Sequence, residues 1–142
     1  GVGIFVFTNR TYNGGSSAAW AAARILQKAG ALVDRDKPVS PLLADGYAAA
    51  GRIYAAGDIM AAQANLAMNM LMDSDAAHWS TKLAGLKGEV GACATDAPIT
   101  ASGNLSGSFT WTCDRGRVAG TILLAPTRTA QIQELNLAVK AP

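Results

Sequence analysis

Phe109-Thr-Trp-Thr-Cys-Asp-Arg-Gly-Arg-Val118 alternates large apolar residues with small polar ones. Phe109, Trp111 and Cys113 fall on one face and Thr110, Thr112 and Asp114 on the other, the period of two that a half-buried strand requires. Asp114-Arg115-Gly116 supplies a turn, with Gly116 available for a positive φ. The segment predicts a β-hairpin with strands near 108–114 and 117–125. A last strand near 130–139 places Leu135, Leu137 and Val139 on one face. Ile132 is out of phase with them, which calls for a bulge or a late start. Upstream, residues 92–102 are strand-like but interrupted by Pro98, which suits an edge strand.

The region before the hairpin is helical. Leu43, Tyr47, Ala50 and Tyr54 recur at helical spacing over 42–56, and Gly57-Asp58 ends that helix and caps the next. The spacing over 59–72 predicts a second helix, carrying Met60, Met68, Met70 and Met72. Such a methionine stripe serves a core more often than an adaptable binding surface. Trp79, Leu83, Leu86 and Val90 form one stripe on a third helix near 75–88, capped from Asp73-Ser-Asp75. Helices followed by strands imply α+β, here helices laid on a four-stranded antiparallel sheet.

The first residues read differently. Val2 to Thr8 is a continuous apolar run, of the kind found in mid-sheet strands, yet the chain offers it no obvious neighbour. After a turn at 11–15, Ser16 or Ser17 starts a helix to about Ala29, with Ala18, Ala22, Ile25, Leu26 and Ala29 on its apolar side and Gly30 as its stop. Residues 31–41 are charged and punctuated by Pro38 and Pro41, as a linker is. One strand and one helix (1–30), a linker (31–41) and an α+β domain (42–142) therefore follow in order. The chain opens inside a strand-like run without a Met, which reads as a cleavage product or a piece of something longer.

Composition narrows the function classes. A net charge of +2 on 142 residues, with Lys and Arg scattered, argues against a nucleic-acid partner. No apolar run is long enough to span a membrane. One His and two Cys without metal-ligand spacing leave no structural zinc site, and no cofactor motif occurs. Cys93 and Cys113 lie on or beside neighbouring strands, where a disulfide is within reach if the Cα atoms approach within about 7 Å. Two buried thiols are the alternative. A disulfide implies a periplasmic or secreted location, and thiols a cytoplasmic one.

Two resemblances follow from these segments. With Leu86-Lys-Gly-Glu-Val-Gly-Ala-Cys93 and Gly107-Ser-Phe-Thr-Trp-Thr-Cys113, residues 42–139 resemble the cystatin-like or NTF2-like α+β cone. Residues 1–30, with Gly1-Val-Gly-Ile-Phe-Val-Phe-Thr-Asn9 leading into a helix, resemble the last strand and C-terminal helix of the serine β-lactamase-like (penicillin-binding-protein-like) hydrolases. That family's Ser-x-x-Lys is absent: Ile25 precedes Lys28 and Trp79 precedes Lys82 at the required spacing. Its Tyr-x-Asn and Lys-Thr-Gly boxes have no counterpart either, so no catalytic residue is assigned. The resemblance implies a non-catalytic accessory part of such a hydrolase, partnered by the catalytic portion. The alternative is a stand-alone NTF2-like binder or enzyme, a homodimer joined through residues 2–8. A cone encloses a cavity, and Tyr54, His78, Trp79 and Trp111 are its candidate ligand contacts. Tyr47, Met70 and Phe109 are further lining candidates. All the aromatic candidates serve equally well as core, and His78 equally well as a solvated residue at a helix start.

Overall fold

Every strand of the sheet is built on the predicted hairpin. β3 (Ser106–Cys113) and β4 (Gly116–Leu124) pair antiparallel from Ser106↔Leu123 to Cys113↔Gly116. β5 (Ile132–Val139) pairs antiparallel with the far side of β4. On the other side of β3 lie β1 (Cys93–Ala94) and β2 (Thr100–Ala101). The computed structural model describes residues 3–9, 14–32 and 37–140. It divides the chain into two units, Gly1–Asp36 and Lys37–Pro142, a division that falls inside the expected linker.

The second unit is α+β, with helices packed against an antiparallel sheet. The sheet has five strands where four were expected, because the edge strand foreseen at 92–102 is split in two. Its middle, 95–99, leaves the ladder around Pro98, which has no N–H to donate. Thr95 packs where a side chain on Gly51 would stand, and Ile99 covers Gly107. Gly116 does not take the positive φ expected of it. Its role is close approach, since a Cβ there would lie 3.2 Å from the Val90 side chain. The phase error at Ile132 is a bulge. Leu123 faces Glu134 and Leu124 faces Ile132, so Gln133 is left over and Ile132 joins Leu135 and Leu137 in the core.

α2 (Pro41–Ala56) begins as its sequence dictates: Ser40 accepts a hydrogen bond from the Leu43 amide and Pro41 occupies the first turn. It ends at Gly57, which is left-handed at φ 71°. Leu43, Tyr47, Ala50 and Tyr54 are buried as the spacing required. α4 (Ala76–Val90) is capped by Asp75, and its Trp79, Leu83 and Val90 are buried, with Leu86 partly so.

The helix expected over 59–72 is not continuous. A 3₁₀ helix, Ile59–Asn65, and one turn, α3 (Met70–Asp73), flank an extended stretch. There Leu66 bridges to Ile132 in parallel, and the Ala67 amide donates to the Ile132 carbonyl. Asn65 and Asn69 donate to the carbonyls of Ala130 and Gln133. Hydrogen bonds to the start of β5 thus outweigh helical propensity. The methionine stripe divides as a result: Met70 is buried, Met60 partly so, and Met68 and Met72 are exposed.

In the first unit, α1 (Gly14–Lys28) begins two residues before the expected cap. It ends at Gly30, at φ 72°, with the Ala31 amide donating to Leu26 and the Gly30 amide to Gln27, a Schellman closure. Residues 3–9 form no strand, contrary to expectation. The physical reason is the one seen in the sequence: a strand requires a neighbour, and none pairs with this run among the described residues. The central residues of the expected turn, 11–13, and the linker's 33–36 lie outside the described residues.

Phe109 lies opposite Gly120, and a Cβ at position 120 would stand 2.2 Å from its ring. Gly120→Ala is expected to destabilise the protein by about 1–3 kcal/mol through overpacking. Chemical denaturation measures this, and pairing it with Phe109→Leu should recover much of the loss.

Candidate functional site

The inner sheet face and α2 together enclose an aromatic cluster. Trp111 sits at its centre, fully buried, with ring centroids 4.6 Å from Phe109, 5.4 Å from Tyr54 and 6.3 Å from Tyr47. Its indole N–H donates to the Tyr47 hydroxyl at 2.8 Å, and that hydroxyl donates to the Ala97 carbonyl. The Tyr54 hydroxyl donates to the Gly91 carbonyl at 2.7 Å and lies 3.0 Å from Cys93 Sγ. Burial raises both tyrosine pKa values above the ordinary 10.0. For Tyr47 the Trp111 hydrogen bond lowers it in part and nearby Asp96 adds to the rise, and for Tyr54 Asp114 adds to it.

Of the four predicted ligand contacts, Tyr54 and Trp111 are therefore together, and their polar atoms are engaged by the protein. Trp79 is buried in the same core but on α4. Its indole N–H is the one buried side-chain polar atom without a partner among the described residues, and Lys82 Nζ lies 4.8 Å from its ring centroid. His78 is exposed, at the first turn of α4, where its backbone amide donates to Asp75. The further candidates Tyr47, Met70 and Phe109 are all buried.

Cys93 and Cys113 face each other across β1 and β3 and form a disulfide, so neither is a free thiol. The bond belongs to a larger clamp. The Ala92 amide donates to Asp114 Oδ2 at 2.8 Å, and the amides of Asp114 and Arg115 donate to the carbonyls of Ala92 and Val90. The Arg115 guanidinium donates to the carbonyls of Gly88, Glu89 and Lys87, and Lys87 Nζ donates to Ala55. Cations thus close the carbonyl ends of both long helices of this unit. No group of three or more His, Cys, Asp or Glu side chains among the described residues is placed to hold a metal.

The open concavities lie on the surface. A groove of about 650 Å³ is walled by Pro38, Pro41, Leu42, Leu105 and Pro126. A second, of about 590 Å³, crosses the outer face of the sheet over Thr100, Ser108, Thr121, Asn136, Ala119 and Ala138. Sequence reading passed over this second groove. Its only signal was the polar half of the alternation, Ser106, Ser108, Thr110 and Thr112, which is also what an ordinary solvated sheet face looks like. Comparison with known proteins found no match to a family model, to a curated protein or to a solved structure.

Two outcomes follow from this geometry. Replacing both cysteines by alanine should lower unfolding free energy by roughly 2–4 kcal/mol, read from denaturant curves, while the unreduced parent shows no titratable thiol on unfolding. The raised tyrosine pKa values give a pH dependence of definite sign. Below pH 10 both hydroxyls are protonated, folded or unfolded, and their contribution is constant. Above it the unfolded chain loses its protons first, so stability should fall as pH rises past about 10. Denaturant midpoints across neutral and alkaline pH measure the fall, and Tyr47→Phe with Tyr54→Phe should flatten it.

Proposed function

We propose that this chain is the non-catalytic C-terminal part of a serine β-lactamase-like hydrolase. On this reading the first unit supplies a strand and a helix to a sheet whose other strands, with the nucleophile and base, lie outside it. The second unit is a cystatin-like or NTF2-like cone acting as an interaction or accessory domain, and the disulfide suits a periplasmic or secreted setting.

The observation that carries the proposal is the exposure of the first unit. Phe5 is 85 % exposed, Phe7 95 % and Trp20 68 %, and α1 has no buried residue. Large aromatics left this exposed are the side chains from which interaction faces are built. No backbone hydrogen bond holds residues 3–9 among the described residues. A sheet edge satisfies both the side chains and the backbone of such a run; a lipid surface would leave its backbone groups unpaired. In the second unit, the engagement of Tyr47, Tyr54 and Trp111 with one another and the backbone supports a scaffold role.

The exposed Phe5 and Phe7 also favour one other reading, a stand-alone NTF2-like small-molecule binder or enzyme that dimerises through residues 2–8. Chromogenic ester and cephalosporin assays on this chain should show no turnover, and turnover that survives repurification overturns the proposal. Light scattering separates the readings. A stable symmetric dimer supports the second, whereas capture of the catalytic portion by the chain, lost on Phe5→Ser with Phe7→Ser, supports the first.

A further inference from the structure

We propose that the groove on the outer face of the sheet is a binding site for a neutral saccharide. Thr100, Ser108, Thr121 and Asn136 form one straight row across four strands, by the pairings Thr100↔Ser108, Ser108↔Thr121 and Thr121↔Asn136. All four are exposed. Next along the strands, Thr110, Ala119 and Ala138 form a second row on the same face, by Thr110↔Ala119 and Ala119↔Ala138. Pro98 and Ala97, on the segment that leaves the ladder between β1 and β2, wall one end of the groove.

The chemistry of these rows selects the ligand class. No charged side chain lines the groove, which disfavours phosphates, carboxylates and ammonium groups. The hydroxyls of Thr81 and Thr127, outside the groove, donate to carbonyls. No protein partner engages those of Thr100, Thr110 and Thr121 among the described residues. Asn136 Nδ2 donates to Glu134 Oε1, which leaves its amide oxygen to accept. The row thus offers donors and acceptors at the strand spacing of about 4.8 Å. Alternate equatorial hydroxyls of a pyranose ring stand at a similar separation, so one sugar bridges two strands and a short oligosaccharide spans the row. The methyl groups of Ala119 and Ala138 and the Pro98 ring receive the C–H face of the ring. Phe109 is the one aromatic residue that lines the groove and its ring packs inward against Tyr47 and Trp111, so no aromatic platform faces the ligand and affinity is modest, with a Kd on the order of 1 mM.

The test is a titration of the ¹⁵N-labelled full chain with cellotriose, followed by amide chemical shifts. Shifts confined to the two rows, and a Kd weakened about fivefold by Thr121→Val, are expected for loss of one hydrogen bond. Ser108→Ala provides a second variant with the same expectation. No shift at tens of millimolar sugar, shifts centred elsewhere, or unchanged affinity in both variants would overturn the site. Shifts on this face that depend on protein concentration and not on sugar would also overturn it, identifying the face as a contact between copies.

Discussion

The hydrogen bond from the Trp111 indole to the Tyr47 hydroxyl fixes how α2 lies on the sheet. Trp111 is fully buried, and an unsatisfied indole N–H there would cost about 1–3 kcal/mol. Only one rotation of α2 brings Tyr47 within reach. That rotation also turns Gly46 toward Leu124 and Gly51 toward Thr95, at approaches no larger residue would allow without displacement. Tyr47 then passes the bond on to the Ala97 carbonyl, which anchors the segment that interrupts the edge strand. One satisfied donor thus links the central strand, the first long helix of the second unit and the edge of the sheet.

Much of this was legible in the sequence because it depends on local periodicity. The alternation at 109–113, the stripes of α2 and α4, the stops at Gly30 and Gly57 and the misfit of Ile132 each report a face or a cap, and each appears in the structure. The break in 59–72 was not legible. Its residues have adequate helical spacing, and what overrides it is a set of hydrogen bonds to β5, more than 60 residues away. The described part of the expected strand, 3–8, failed as a strand for a related reason. Its composition is that of a strand, but pairing depends on a neighbour that no local pattern specifies.

The ligand contacts were the least legible. An aromatic residue on an inward face reads the same whether it lines a cavity or fills one, and only packing separates the two. Here Tyr54 and Trp111 fill, Trp79 fills with one donor unmet, and His78 is outside. The outer groove escaped notice because it is made of small residues whose significance comes from cross-strand register, which the sequence does not display.

The bulge at Gln133 determines how this strand tolerates change over time. Because Gln133 is left over, Ile132 and Leu135 face inward although they are three apart. Removing Gln133 would leave them two apart, the spacing at which a regular strand turns both side chains to one face, so the loss would straighten the strand and keep both in the core. β5 therefore accepts the loss of one residue at the bulge, whereas a deletion farther along the strand would turn the side chains beyond it outward, and other variation in length is expected in the excursion at 95–99, outside the ladder.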